Sequence, residues 1–157
     1  MRQSRRQPRI LFVCHGNICR SPMAEFVLKK KLEEEGLVAC VASAATRSDE
    51  IGSPVHRGTQ KILNQLGIDY SRKRAVRVTR ENYDRYDLIV GMDDYNIRDL
   101  LRLFGGDPEG KVIKLMSLVG SGRDVADPWY TGDFDLTFRD VDAGCNAIVD
   151  MIKKGNL

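Results

Sequence analysis

The sequence predicts an α/β fold, a parallel sheet with helices on both faces. Three observations lead there. Short apolar runs suited to buried strands alternate with segments whose apolar residues recur at helical spacing. The alternation runs from end to end, with no block of consecutive strands, internal repeat or low-complexity tract to divide it. A strand that feeds straight into a helix returns to the same sheet as a parallel neighbour through a right-handed crossover.

The first strand is Ile10-Leu11-Phe12-Val13, with Cys14 at its end. Residues 20–35 read as a helix. Pro22 suits a first turn, and Ala24, Val27, Leu28 and Leu32 share a face. The run from Lys29 to Lys31 and the run from Glu33 to Glu35 mark its wet side, and Gly36 is a natural stop. Residues 37–45, rich in Val and Ala, read as the second strand, and 46–53 as a polar loop. Residues 54–66 form a second helix with Val55, Thr59, Ile62, Leu63 and Leu66 inward. Residues 70–80 are a basic loop, and 82–86 a helical turn. The third strand, 86–92, carries Leu88-Ile89-Val90. Asp93 can cap the next helix, whose stripe is Ile97, Leu100, Leu101 and Phe104 before Gly105-Gly106. Residues 105–111 are close to a phosphate-binding Walker A loop, but Val112 stands where a magnesium-binding Ser or Thr belongs, and a strand follows where a helix is needed. That reading is excluded. Residues 112–115 are the fourth strand and 120–131 a long loop. The final helix, 134–153, has Phe138, Val141, Cys145, Ile148 and Ile152 on one stripe, where Gly144 either weakens the helix or permits a close contact.

At 157 residues the chain suits one domain with a real core. No apolar run approaches membrane-spanning length, and no secretory signal is visible, so a cytoplasmic protein is expected. A net charge of +3 does not suggest a nucleic-acid binder. Residues 1–9, with Arg2, Arg5, Arg6 and Arg9, are expected to be a basic frayed tail ahead of a single domain over 10–157. Arg72, Lys73, Arg74, Arg77 and Arg80 form a second basic cluster, either a solvated loop or a rim that attracts acidic, phosphorylated ligands. Cys14, Cys19, Cys40 and Cys145 include no CxxC pair. With only His15 and His56 besides, no metal site is expected.

The stretch from Cys14 to Ser21 carries the chemistry. Gly16 and Asn17 both tolerate positive φ, so the loop can curl and turn successive N–H groups inward as a nest for an oxyanion. The helix that follows aims its N-terminus into the same space. Arg20 adds a planar fork of donors for two phosphate oxygens. Cys14 sits where a helix end and a cation both favour a thiolate, and Ser21 can give that sulfur a hydrogen bond. The site falls at the carboxyl end of the first strand, where open α/β sheets bind ligands.

The run VCHGNICRSPMAE, together with Asp127-Pro128-Trp129-Tyr130 further on, resembles the low-molecular-weight protein tyrosine phosphatases, and the likeness extends over most of the chain after Arg9. The resemblance implies four parallel strands in the order 2-1-3-4. It implies Cys14 as nucleophile, Arg20 as phosphate clamp and Asp127 as general acid and base. His15, Gly16, Asn17, Ile18, Cys19, Arg20 and Ser21 would bind phosphate, and Ile18, Asp49, Trp129 and Tyr130 would line a slot for phosphotyrosine. Asp49 falls where relatives carry an aromatic and Arg72 where a histidine is familiar, which leaves substrate preference open. Ser43 would brace Asn17, or else be a buried hydroxyl bonded to backbone. Cys19 would pair reversibly with Cys14 under peroxide, or else simply be buried. Phosphotyrosine proteins are the implied partners and inorganic phosphate the product, with no cofactor, metal, nucleic acid or membrane. Three other readings compete. Arsenate reductases need a closer cysteine pair than Cys40 and Cys145. Arginine phosphatases carry threonine where Ile18 stands. A mere phosphate-binding module needs neither Cys14 nor Asp127.

Overall fold

The computed structural model describes residues 7–157. The basic tail expected over 1–9 lies largely outside the described residues, and Arg9 already belongs to the first strand. The elements run β1 (Arg9–Cys14), α1 (Arg20–Glu34), β2 (Cys40–Ala45), α2 (Arg57–Gln65), α3 (Asn82–Arg85), β3 (Leu88–Gly91), α4 (Asp94–Phe104), β4 (Val112–Lys114), a 3₁₀ turn (Leu115–Val119), α5 (Pro128–Thr131) and α6 (Phe134–Lys153). The four strands are parallel, in the order β2-β1-β3-β4.

Side chains of β1 alternate between two cores, as a strand's period of two requires. Ile10, Phe12 and Cys14 face one core, with Met23, Ala24, Val27 and Leu28 of α1 and Val141, Cys145 and Ile148 of α6. Leu11 and Val13 face the other, with Tyr83 of α3 and Leu100 of α4. Cys14 therefore ends a strand buried from Ile10 onward, on the side covered by α1 and α6.

Several boundaries differ from the sequence reading. The second strand begins at Cys40 and not at Leu37, because α1 ends in a left-handed turn. Gly36 has φ 67°, the Gly36 amide donates to the Glu33 carbonyl, and the Leu37 amide folds back onto the Leu32 carbonyl at 2.9 Å. Leu37 is spent closing the helix. The second helix starts at Arg57, not Pro54. Pro54 bridges to Arg74, and His56 is the N-cap, its Nδ1 accepting from the Gly58 amide at 3.0 Å. The fourth strand stops at Lys114, where the 3₁₀ turn begins. The loop after it holds one short helix, α5, with Asp127 as its N-cap and Pro128 in its first turn. Gly144 of α6 makes a close contact: a Cβ there would lie 2.4 Å from Leu115 Cγ and Cδ1.

Candidate active site

The loop between β1 and α1 is a curled bowl, and its curl has a traceable cause. Among the described residues Asn17, at φ 59°, is the one non-glycine residue in the left-handed region; Gly16 is not at positive φ. A Cβ on Gly16 would meet Glu50 Cγ at 3.4 Å, an ordinary contact, so neither space nor backbone demands glycine there. The carbonyls of the loop are held from outside. Cys14 O accepts from the Thr46 amide (3.0 Å), His15 O from the Arg47 amide (3.1 Å) and Ile18 O from the His56 amide (2.9 Å). Cys19 O accepts from Thr59 Oγ1 at 3.0 Å. In a trans peptide the next N–H points opposite to the carbonyl. The amides of His15, Gly16, Cys19 and Arg20 therefore face away from those anchors, and none of them has a protein acceptor among the described residues.

At the floor of the bowl lies Cys14, 3% exposed. Its Sγ is 3.0 Å from Ser21 Oγ and accepts from the Ser21 amide at 3.4 Å. Either atom can donate in the first bond. Asn17 Nδ2 donates to Ser21 Oγ and to Ser43 Oγ, both at 2.8 Å, while Asn17 Oδ1 accepts from the Val76 amide at 3.1 Å. Asn17 fills one acceptor site of Ser21, whose hydroxyl keeps a proton that it gives to the sulfur when Cys14 is a thiolate. The Ser43 hydroxyl donates to Glu25 Oε1 at 2.6 Å. Lys29 donates to the other oxygen of Glu25 at 2.6 Å, and Lys73 donates to the Ser43 carbonyl at 3.0 Å. One asparagine thus links, through two serines, the Cys14 sulfur and the Glu25 carboxyl group.

Arg20 is buried, its side chain 3% exposed. Nη1 donates to Asp93 Oδ2 at 2.8 Å and to the Val125 carbonyl at 3.3 Å, and Nη2 to Asp127 Oδ2 at 3.3 Å. Burial alone would lower the pKa of the guanidinium, but negative charge on Cys14, Asp127 and Asp93 overrides it and raises the pKa further. Asp127 has extended backbone, and its Oδ1 caps α5 by accepting from the Trp129 amide at 3.0 Å.

Cys14, His15, Gly16, Ile18, Cys19, Arg20, Asp49, Asp127, Trp129 and Tyr130 line one cleft of about 250 Å³. Asn17, Ser21 and Ser43 support it from beneath. Trp129 and Tyr130 stand largely exposed at its mouth, and His15 Nε2 bonds Asp49 Oδ2 at 3.0 Å on the rim. The Cys19 thiol is pushed up to about 12, first by burial and then by the negative charge of Cys14 and Asp127.

Several residues here escaped the sequence reading. Asp93 was legible only as a helix cap. One of its oxygens does cap α4, through the Asn96 amide at 2.8 Å, and the other holds Arg20. Its place just past Met92 and the end of β3, at the sheet's carboxyl edge, was the available signal. Glu50 also lines the cleft. Lys73 belongs to the basic cluster in sequence yet is mostly buried beneath the bowl beside Glu25.

Comparisons with known proteins bear on this arrangement. The family profile for low molecular weight phosphotyrosine protein phosphatase matches residues 9–156. The low molecular weight protein-tyrosine-phosphatase YfkJ of Bacillus subtilis is 36% identical over 149 residues, covering 92% of this chain and 96% of that protein. The crystal structure of YfkJ superposes with a TM-score of 0.93 at 34% identity, covering 99% of this chain and 100% of that one. The crystal structure of DARP, a drosophila arginine phosphatase, gives a TM-score of 0.84 at 27% identity, covering 92% of this chain and 97% of that one. A bowl of free amides around a buried thiol and arginine, on a sheet ordered 2-1-3-4, goes with the profile match over nearly the whole chain: it belongs to the low molecular weight phosphotyrosine protein phosphatase family and is a phosphatase.

Proposed function

We propose that the chain hydrolyses phosphotyrosine in proteins, and small aryl phosphates, through a phosphocysteine intermediate. One observation carries the reading. Cys14 Sγ, bonded by the Ser21 hydroxyl and amide, lies under amides with no protein acceptor, in a cleft shared with Arg20 and Asp127.

Phosphoryl transfer asks chiefly for positioning and charge stabilisation. The loop amides and the Arg20 fork hold the equatorial oxygens of the phosphoryl group. The Cys14 thiolate attacks phosphorus, and the bond to the phenolic oxygen breaks. That oxygen takes the proton of Asp127. Asp127 as carboxylate then removes a proton from water, which attacks the phosphocysteine and releases inorganic phosphate and the thiolate. Phosphate entering the bowl competes with Asp127 for Arg20 Nη2, which frees the carboxyl for the leaving group. Ile18, Trp129 and Tyr130 offer an apolar wall for a phenyl ring, and Asp49 with His15 forms the rim. The scheme uses no metal or cofactor. Its substrates are phosphoproteins of a cytoplasm, without nucleic acid or membrane. Among the described residues no helix is long and apolar enough to cross a membrane.

The test is hydrolysis of p-nitrophenyl phosphate at mildly acidic pH without added metal, beside phosphotyrosine, phosphoserine and phosphoarginine. Cys14→Ser is expected to lose roughly three orders of magnitude or more in kcat. Asp127→Ala is expected to lose about 10²–10⁴ on phosphotyrosine and far less on p-nitrophenyl phosphate, whose oxygen leaves unaided. Activity persisting in Cys14→Ser, or equal losses on the two substrates in Asp127→Ala, would exclude the mechanism. Preference for phosphoarginine would exclude the substrate.

Cys19 lines the same cleft as Cys14. We propose it as the partner that resolves oxidised Cys14. Peroxide converts the Cys14 thiolate to a sulfenic acid and releases hydroxide. The Cys19 thiol then displaces water to form the disulfide. With its thiol held near 12, Cys19 is seldom the thiolate that must attack, and bridging is slow. Mass spectrometry after mild peroxide is expected to show the Cys14–Cys19 bridge. Sulfinic acid at Cys14 with no bridge would rule it out.

A further inference from the structure

A second cleft, of about 250 Å³, opens beside the end of β2 and shares no lining residue with the first. Thr46 and Arg47 come from the segment after β2, Arg77 and Val78 from the basic loop, and Asp99, Arg102 and Leu103 from α4. Three guanidinium groups meet there against one carboxylate. That carboxylate is already engaged: Arg47 Nε and Nη2 grip Asp99 Oδ2 and Oδ1, each at 3.1 Å. Arg77 and Arg102 have no ion pair or side-chain hydrogen bond among the described residues.

Thr46 supplies an independent observation. It is 7% exposed, and its Oγ1 is a buried side-chain oxygen without a hydrogen-bond partner. Buried hydroxyls are nearly always paired, and one that is not points to a missing acceptor or donor. Converging like charges also repel, and an anion between them relieves that repulsion. Guanidinium forks match the oxygens of a phosphate group. Asp99, turned onto Arg47, leaves the other two arginines to such a ligand. Val78 and Leu103 add an apolar wall.

We propose that this cleft is a second phosphate site, which takes inorganic phosphate or the phosphate of a small organic monoester between Arg77 and Arg102, with the Thr46 hydroxyl as a further donor. The site adjoins the catalytic loop through backbone. The Thr46 and Arg47 amides that flank it hold the Cys14 and His15 carbonyls. The assignment does not depend on the phosphatase chemistry, since it concerns binding alone.

The test is an amide chemical-shift titration of the full chain with inorganic phosphate, and separately with adenosine monophosphate. Amides of Val78, Arg102 and Leu103 are expected to shift along a saturable curve distinct from that of the loop amides, 15–20. In R77A/R102A the second curve should weaken at least tenfold while the loop curve is unchanged. The single changes Arg77→Gln and Arg102→Gln give the same readout with less perturbation, and Thr46→Val should weaken it severalfold. Tighter saturation by the nucleotide assigns an organic monoester to the site, and equal or tighter saturation by phosphate assigns the free ion. The proposal is overturned if these amides do not move at phosphate concentrations that saturate the loop. It is equally overturned if their curve is the same in R77A/R102A and in both single variants.

Discussion

Asn17 does two jobs that ordinarily fall to different residues. Its backbone takes the left-handed conformation that curls the loop, and its amide sends one proton toward each of two serines. Replacing it with alanine removes two donated hydrogen bonds and one accepted, and leaves a Cβ residue in strained backbone. Asn17→Ala is therefore expected to cost about 2–4 kcal/mol of stability and to lower kcat at least tenfold. Asn17→Gly should recover roughly 1 kcal/mol of that stability, the conformational share, without recovering kcat. Urea denaturation and p-nitrophenyl phosphate kinetics check both. A loss below about 1 kcal/mol in Asn17→Ala would mean the network contributes little. At this scale the sequence was legible where a residue type is itself unusual for a bland role. A thiol, an asparagine and an arginine in one short loop point to an anion on residue type alone. Glu25, Lys73 and Asp93 were not legible. A charged residue in a helix or loop reads as solvated, and only the tertiary fold buries Glu25 to 5% exposure and brings Lys73 alongside it.

Every strand was readable from an apolar run and every long helix from apolar period, and the misreadings sit at their ends. Leu37 and Pro54 have the composition of the neighbouring element, but capping geometry claims them for a turn and a bridge. The 3₁₀ turn and α5 are too short to show a period at all. Gly144 was left open by sequence because a helical glycine is ambiguous, and the packing of α6 on the 3₁₀ turn settles it. Helix propensity alone would favour alanine there by about 1 kcal/mol. The Cβ would drive into Leu115, which is fully buried and has nowhere to move. Gly144→Ala is expected to destabilise by about 1–3 kcal/mol. Leu115→Ala in the same chain should offset part of that cost, with a coupling of more than ~0.5 kcal/mol in the double-mutant cycle. Simple additivity in thermal or urea unfolding would show that the two residues do not crowd each other.

Across the whole molecule, β1 lies between β2 and β3, so the chain leaves it in opposite directions on its two sides. A crevice at the carboxyl ends of the strands follows from that reversal. Alternation alone predicted a parallel sheet but could not order its strands; the order came from family resemblance, because nothing local distinguishes β1's neighbours. The candidate site draws on the ends of three strands: Cys14 closes β1, Thr46 follows β2, and Asp93 follows β3 after Met92. A ligand that bridges these ends should therefore stabilise the entire fold. Inorganic phosphate at a hundred times its loop Kd is expected to add ~2.7 kcal/mol. For a chain of this size that is a rise of about 5–11 °C in Tm. Scanning calorimetry with and without phosphate measures it, and Arg20→Met should lose most of the effect. An unchanged Tm in the native chain would show that the bowl does not hold phosphate.

The outward tethers on Cys14, His15, Ile18 and Cys19 have one more consequence. A basin slung from four external points keeps its curvature whether or not anything rests in it. Neither sulfur nor arginine has to assemble the receptacle on each turnover, and the energy of contact with an arriving oxyanion goes to the chemistry and not to shaping the vessel.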